Sequence, residues 1–213
     1  MAKLVYLLGA GGHGRVVLDA LLSSGVNVAG ILDPNLKAGD HIFETPVMGG
    51  DEFLDQLAPT DVLLVNGIGA NPYVYIRKNL FNELKVRGFL FNAARHLSAV
   101  IGSECNLGES SQIMAGTVLQ NRVRVGDNTV INTCASIDHD CVIGAHTFVS
   151  PGVVLSGKVL VGESAFIGAG AVVLPGIKIG VNVIIGAGAV VIKNIPNGWI
   201  VAGNPTIKIG MNQ

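Results

Sequence analysis

Residues Val125–Leu160 read VGDNTV, INTCAS, IDHDCV, IGAHTF, VSPGVV, LSGKVL: six hexads, each opened by an aliphatic residue. The register holds in both directions. From Ile101, Leu107, Ile113 and Leu119 on to Ile179, Ile185 and Val191, every sixth residue is Ile, Leu or Val. A period of six belongs neither to a helix nor to strand alternation; it marks a coiled solenoid whose flat sides use six residues each. Two places before the aliphatic residue stands a second inward position, mostly small or β-branched: Ala99, Cys105, Ser111, Thr117, Val123, Thr129, Ala135, Cys141, Thr147, Val153. One large and one small inward residue per side fill a triangular prism. Glycine often follows the aliphatic residue, as at Gly102, Gly126, Gly144, Gly162 and Gly180, where a tight corner benefits from the lack of a Cβ.

Composition agrees with that shape. Charged residues make up 14% of the 213, against roughly 25% in an average globular protein, and apolar residues 49%. Such a deficit suits a solenoid packed against copies of itself. With a net charge of -1 there is no basic field to attract nucleic acid or an anionic membrane. Cys105, Cys134 and Cys141 form no disulfide or zinc spacing, and two of them occupy inward positions, as core thiols of a reducing compartment do. The apolar run Leu4–Leu8 is too short for a signal peptide or a membrane span, which makes the cytoplasm the expected location.

Before the repeat, strand and helix patterns alternate. Lys3–Leu8 is expected as a strand and Gly12–Ser24 as a helix with Val16, Val17, Ala20 and Leu21 inward, stopped by Gly25. Strands at Val28–Leu32 and Asp61–Val65 and a short helix at Asp51–Leu57 follow. Asn71-Pro72 opens a helix to about Arg87, and Phe89–Phe91 is a last strand. The order implies a small doubly wound parallel sheet. The expected organisation is a Rossmann-like domain at 1–92, a linker at 93–100, the prism at 101–196 and a C-terminal cap at 197–213.

Between the first strand and helix stands Gly9-Ala10-Gly11-Gly12-His13-Gly14, a G-x-G-x-x-G turn, with Asp33 closing the second strand. Backbone N–H groups there can approach a ligand, and the helix N-terminus favours a diphosphate. Taken alone this is a nicotinamide-dinucleotide fingerprint. The domain is too short for a six-stranded Rossmann sheet, however, and no hydride-transfer pocket follows, so the diphosphate of another nucleotide fits as well.

The hexads resemble those of the hexapeptide-repeat acyltransferases, whose left-handed parallel β-helix has three sides and eighteen residues per coil. Joined to the glycine turn, they make the chain similar to sugar-nucleotide acetyltransferases of the sialic acid O-acetyltransferase type, nearest the N-acetyltransferases of UDP-4-amino-4,6-dideoxy sugars such as the bacillosamine pathway enzyme. The resemblance implies an α/β Rossmann-like domain followed by the left-handed β-helix, a homotrimer, and sites shared between subunits. It implies acetyl-CoA as co-substrate, with no NAD and no metal. The N-terminal domain would hold the acceptor's nucleotide through Gly11, Gly12, His13, Gly14, Asp33, Gly69 and Asn71. Pro34 departs from relatives that carry a second acidic residue there.

One line interrupts the small and apolar pattern of the prism: Asn132-Thr133-Cys134-Ala135-Ser136-Ile137-Asp138-His139-Asp140. His139 follows the inward Ile137 by two and so points outward near a corner. Imidazole is suited to take a proton from an attacking amine or hydroxyl, and Asp140 or Asp138 can orient the ring. The resemblance makes His139 the general base and Asp140 its partner, with Asn132 on the acceptor side. It further places Gly157 near the thioester, Gly168, Ala169, Gly186 and Ala187 along the pantetheine arm, and Lys193 at the coenzyme phosphates. Val201-Ala202-Gly203-Asn204-Pro205-Thr206-Ile207-Lys208 looks like the family's G-N-P-A-K close, altered at Thr206 and Ile207.

The expected reaction is direct acetyl transfer to the C4 amine of the UDP-linked sugar in bacterial glycan biosynthesis. O-acetylation of sialic acid or a related sugar and N-acetylation of a GDP-amino sugar such as GDP-perosamine stay open, since a histidine base serves either nucleophile. A zinc enzyme on the same prism is disfavoured: His139 and His146 are seven apart and on different sides, and His96 precedes the repeat. An NAD oxidoreductase or a non-catalytic nucleotide-sugar sensor would use the glycine turn, but a sensor has no need of His139.

Overall fold

The computed structural model describes residues 3–72 and 75–212. The chain divides into two compact units, Met1–Leu97 and Ser98–Gln213.

The first unit is built on a five-stranded sheet. Its strands are β1 (Leu4–Leu8), β2 (Val28–Leu32), β3 (His41–Ile42), β4 (Thr45–Gly49) and β5 (Val62–Asn66), in the order β3-β4-β2-β1-β5. β1, β2, β4 and β5 run parallel. The expectation of a purely parallel sheet needs correcting, because β3 pairs antiparallel with β4 at the edge. That hairpin lacks a sequence signal: Phe43 takes the left-handed turn (φ 50) where Asn or Gly is usual, and Pro46 discourages a strand assignment.

Helix α1 (Gly12–Ser23) buries Gly14, Val17, Leu18, Ala20 and Leu21. Val16, expected inward, is 44% exposed, since the i, i+3, i+4, i+7 stripe runs through positions 14, 17, 18 and 21. Gly25 (φ 77) ends the helix as expected. The segment Asp51–Gln56 is a 3-10 turn rather than an α-helix. α2 (Ile76–Val86) starts later than the Asn71-Pro72 pair predicts; Tyr75 is its N-cap, and Tyr73 and Val74, inside the expected helix, lie outside the described residues. Phe89–Phe91 makes one bridge, Phe91 to Leu64, instead of a full strand.

The second unit is the left-handed parallel β-helix. Two-residue strands pair parallel with an offset of eighteen: Val100, Val118, Ser136, Val154, Val172 and Val190 stack on one side. Inward residues from Ile113 to Val191 form one continuous core, and Ile101 and Leu107 pack partly against it. Inward hydroxyls donate to corner carbonyls: Thr117 to Asn132 (3.1 Å), Thr129 to Gly144 (2.9 Å) and Thr147 to Gly162 (3.1 Å). These three threonine hydroxyls are thereby satisfied, whereas the buried Ser110 and Ser111 hydroxyls find no such partner among the described residues.

The corners turn differently from the expectation. Every sixth residue from Glu104 to Gly188, three places after the aliphatic one, has φ between 52 and 72. The glycines that follow the aliphatic residues meet a separate demand. A Cβ on Gly126 would lie 2.5 Å from Ala145 N, and one on Gly144 2.6 Å from Glu163 N, both backbone of the next coil. Those glycines permit stacking, while the residue two places on makes the turn. A hairpin, Trp199–Ala202 with Ile207–Met211, closes the last coil, and Lys208 Nζ lies 4.7 Å from the Trp199 ring centre.

Candidate active site

In the first unit the chain goes from β1 to β2 on one side and returns to β5 on the other. Ligands of open α/β sheets bind beyond the carboxyl ends of strands at such a reversal. The glycine turn follows β1 and the Gly67–Gly69 loop follows β5. Their glycines divide into two kinds. A Cβ on Gly14 would run into Gly9 O within the turn, and one on Gly67 would run into the same oxygen from the other loop, so the first lets the turn close and the second lets the two loops touch. Added Cβ atoms on Gly11 and Gly12 would meet nothing within 4 Å. Nothing in the unit itself requires those two positions to be bare, which leaves space for a molecule from outside.

Asp33 is 8% exposed, and its carboxylate is engaged within the fold. Oδ2 accepts from Ala10 N–H at 2.7 Å and Oδ1 from Asn35 N–H at 2.8 Å. It therefore organises the turn itself. Gly69 stands against His13, where an added Cβ would lie 3.2 Å from His13 Cβ, while Asn71 is exposed farther along.

Sequence reasoning missed the tie beneath this loop. Arg77, 6% exposed, donates from Nη1 to Asn66 O (2.9 Å) and Ile68 O (2.8 Å). Asn66 Nδ2 returns a bond to Arg77 O (3.1 Å), and its Oδ1 accepts from Ile68 N (3.1 Å). Burial pulls the Arg77 guanidinium down to about 9, which still leaves it a cation at neutral pH.

On the prism, His139 Nδ1 donates to Asp140 Oδ2 at 2.8 Å, and His139 N–H donates to Asp138 Oδ1 at 2.7 Å. Asp140 is the orienting carboxylate; Asp138 holds the backbone. The His139 bond, opposed by burial and helped by the Arg122, His139 and Lys158 charges, holds the Asp140 carboxyl below the usual carboxylate range. An ionised carboxylate only accepts, so the shared proton belongs to Nδ1 and the neutral ring presents a lone pair at Nε2. That nitrogen stands over Gly157, where a Cβ would come within 2.6 Å of it. The resemblance put His139, Asp140 and Gly157 in one site, and in the structure the three residues are neighbours.

The remaining coenzyme candidates fall on two edges. Positions eighteen apart stack, so Gly157 lies one coil from His139 and Lys193 three, about 14 Å along the same edge at a strand spacing of ~4.8 Å. Asn132, Gly168 and Gly186 share a different edge, with Ala169 and Ala187 exposed at its corners. Asn132 Oδ1 accepts from Thr133 N–H there (2.7 Å). Gly168 must be bare for stacking, as a Cβ would lie 2.5 Å from Ala187 N. Among the described residues no group of three His, Cys, Asp or Glu side chains is placed to hold a metal ion, and no helix is long and apolar enough to cross a membrane.

A family model described as the PglD N-terminal domain matches residues 4–84. Models for the bacterial transferase hexapeptide (six repeats) and the hexapeptide repeat of succinyl-transferase match residues 158–193 and 99–133. PerB from Caulobacter crescentus, solved in complex with CoA and GDP-perosamine, is 36% identical over 99% of each chain with a TM-score of 0.88. The acetyltransferase domain of PglB from Neisseria gonorrhoeae is 31% identical, over 98% of this chain and 100% of that one, with a TM-score of 0.89. Another structure of that domain holds acetyl coenzyme A. WeeI from Acinetobacter baumannii is 27% identical over 98% and 100% of the two chains, with a TM-score of 0.84.

Proposed function

Because this chain belongs to the hexapeptide-repeat sugar acetyltransferases that begin with a PglD-type N-terminal domain, we propose that it transfers acetyl from acetyl-CoA to the C4 amine of a nucleotide-linked 4-amino-4,6-dideoxy sugar in bacterial glycan biosynthesis. The observation that carries the chemistry is the His139–Asp140 pair with Nε2 over Gly157. The free amine attacks the thioester carbonyl while Nε2 takes its proton, and Asp140 stabilises the imidazolium. Collapse of the tetrahedral intermediate breaks the C–S bond. The thiolate leaves and the proton returns from His139, giving the amide and CoA. Gly11, Gly12 and the neighbouring helix N-terminus hold the diphosphate of the acceptor.

The resemblance read in the sequence points to UDP. A GDP-linked sugar is the second reading, favoured by the 36% identity to a GDP-perosamine-bound relative against 31% to the PglB domain. The match to N-acetyltransferases favours the amine over a hydroxyl. Calorimetric titration with UDP, GDP and NADH, followed by acetyl-CoA consumption with amino-sugar nucleotides, tests all of this. Binding of NADH alone, with no acetyl-CoA consumption, overturns the proposal.

The assembly we propose is a homotrimer with shared sites. His139 and Lys193 lie on one edge and Ala169 and Ala187 on another, so one coenzyme reaches both sets when a second copy lays its edge alongside. The exposed Val142, Val154 and Leu160 side faces supply apolar area for that association. Light scattering that gives a monomer at micromolar concentration defeats the shared-site arrangement.

A further inference from the structure

We infer that Arg122 is a positioning residue for the His139–Asp140 pair: it fixes the second oxygen of Asp140 and offsets part of the negative charge around the imidazole. The inference rests on the catalytic reading of His139 given above. Arg122, Asp140 and Lys158 are eighteen residues apart and stand in one column of left-handed corners, with φ of 62, 60 and 63. The middle one is anionic and its two neighbours are cationic.

Arg122 Nη2 lies 3.0 Å from Asp140 Oδ1, while Oδ2 of the same carboxylate is 2.8 Å from His139 Nδ1. A carboxylate torsion is broad and roughly two-fold, so a carboxylate held at one oxygen can swing. Held at both, Asp140 presents one oxygen in one direction, and the ring follows.

The charges around His139 decide the sign of the electrostatic effect. Asp138 and Asp140 are the anions near it, Arg122 and Lys158 the cations, and the Cys141 thiol, pushed up to about 11 chiefly by burial, is neutral. Without Arg122 two carboxylates face one cation, which favours the imidazolium. The protonated ring is no base, so the rising limb of the pH–rate profile moves to higher pH. Arg122 is 61% exposed, and ion pairs of that kind contribute little to stability. A purely structural role would leave the pH profile where it is.

The experiment compares Arg122→Met and Arg122→Lys with the unaltered protein. In Arg122→Met, kcat falls about 3- to 10-fold with KM for both substrates nearly unchanged, the pattern of a lost transition-state interaction. Its rising limb shifts upward by about half a pH unit at low salt, the size expected when one charge on the far side of the carboxylate is removed in a water-like dielectric. In about 1 M salt the two profiles converge, and Arg122→Lys restores the position of the limb. Histidine NMR titration without substrates, assigned with His139→Ala, reads the same coupling in the resting protein. Normal turnover in His139→Ala brings down the catalytic reading and with it the catalytic role inferred for Arg122, even where the imidazole titration still shows the coupling. An imidazole titration unmoved by Arg122→Met at low salt, or profiles that superimpose at low salt, brings down this inference alone.

Discussion

The glycine turn of the first unit and the His139 edge of the prism do opposite things with similar material. At the turn, bare positions face empty space: Gly11 and Gly12 would accept a Cβ with nothing within 4 Å, and the candidate ligands are backbone N–H groups. At the edge, the bare position is filled from within the same chain, since the room over Gly157 is taken by His139 Nε2. One region leaves room beside its backbone, and the other fills that room with a side chain. A glycine therefore has no single meaning, and what its missing Cβ would touch decides which role it has.

Replacing the side chain that the edge holds gives the largest effect. His139→Ala lowers kcat by about 10²–10⁴-fold with substrate affinities nearly unchanged, as expected for removal of a general base. A folded variant with near-normal turnover makes this histidine a surface residue. Next comes the buried tie beneath the loop after β5. Arg77→Met leaves the Asn66 and Ile68 carbonyls without a charged donor in a buried place, a loss of about 2–4 kcal/mol. Thermal unfolding reads it, and an unchanged Tm shows the tie to be dispensable.

The two kinds of bare position are then set against each other. Gly157→Ala pushes on an imidazole that can rotate away, so the protein folds while kcat drops about 10- to 100-fold from misorientation. Gly144→Ala meets the Glu163 backbone instead and shows up in stability. In the turn, Gly11→Val weakens the nucleotide sugar about tenfold and spares acetyl-CoA and Tm, since only an incoming diphosphate competes for that space. Equal loss of both ligands means that the domain has misfolded or that the nucleotide binds elsewhere.

The smallest effect is in pH. A carboxyl held low in the folded protein contributes above its ordinary pKa, and the contribution is lost as pH falls through the lowered value. Asp140 therefore stays ionised to lower pH than an ordinary carboxyl, and the limb of the pH–rate profile that vanishes in His139→Ala belongs to the imidazole. In Asp140→Asn that limb persists at a reduced rate. Its disappearance assigns the ionisation to the carboxyl.

Much of the prism was legible because each inward position is a local decision repeated every six residues. Thr117, Thr129 and Thr147 even find their partners by that repetition. The His139 line stood out for the same reason, as a polar interruption of a regular pattern. The β3–β4 hairpin was hidden, its turn made by Phe43-Glu44 rather than by Gly or Asn. Arg77 carried no signal, since its partners Asn66 and Ile68 are fixed by where β5 ends and not by spacing. Arg122 was within reach: counted one coil of eighteen residues back from Asp140, it is the side chain beneath.

The sequence by itself determined the period, the inward residues, the glycine turn and the histidine with its neighbouring carboxylates, because each depends on a few consecutive residues. The period alone left the number of sides open; the resemblance implied three, and the tertiary structure decided that three sides close a coil. A period of six permits any number of sides, and closure depends on the angle of every left-handed corner. That angle puts residues eighteen apart in register, brings Arg122 to Asp140 and Gly157 to His139, and sends Ala169 and Ala187 to a different edge.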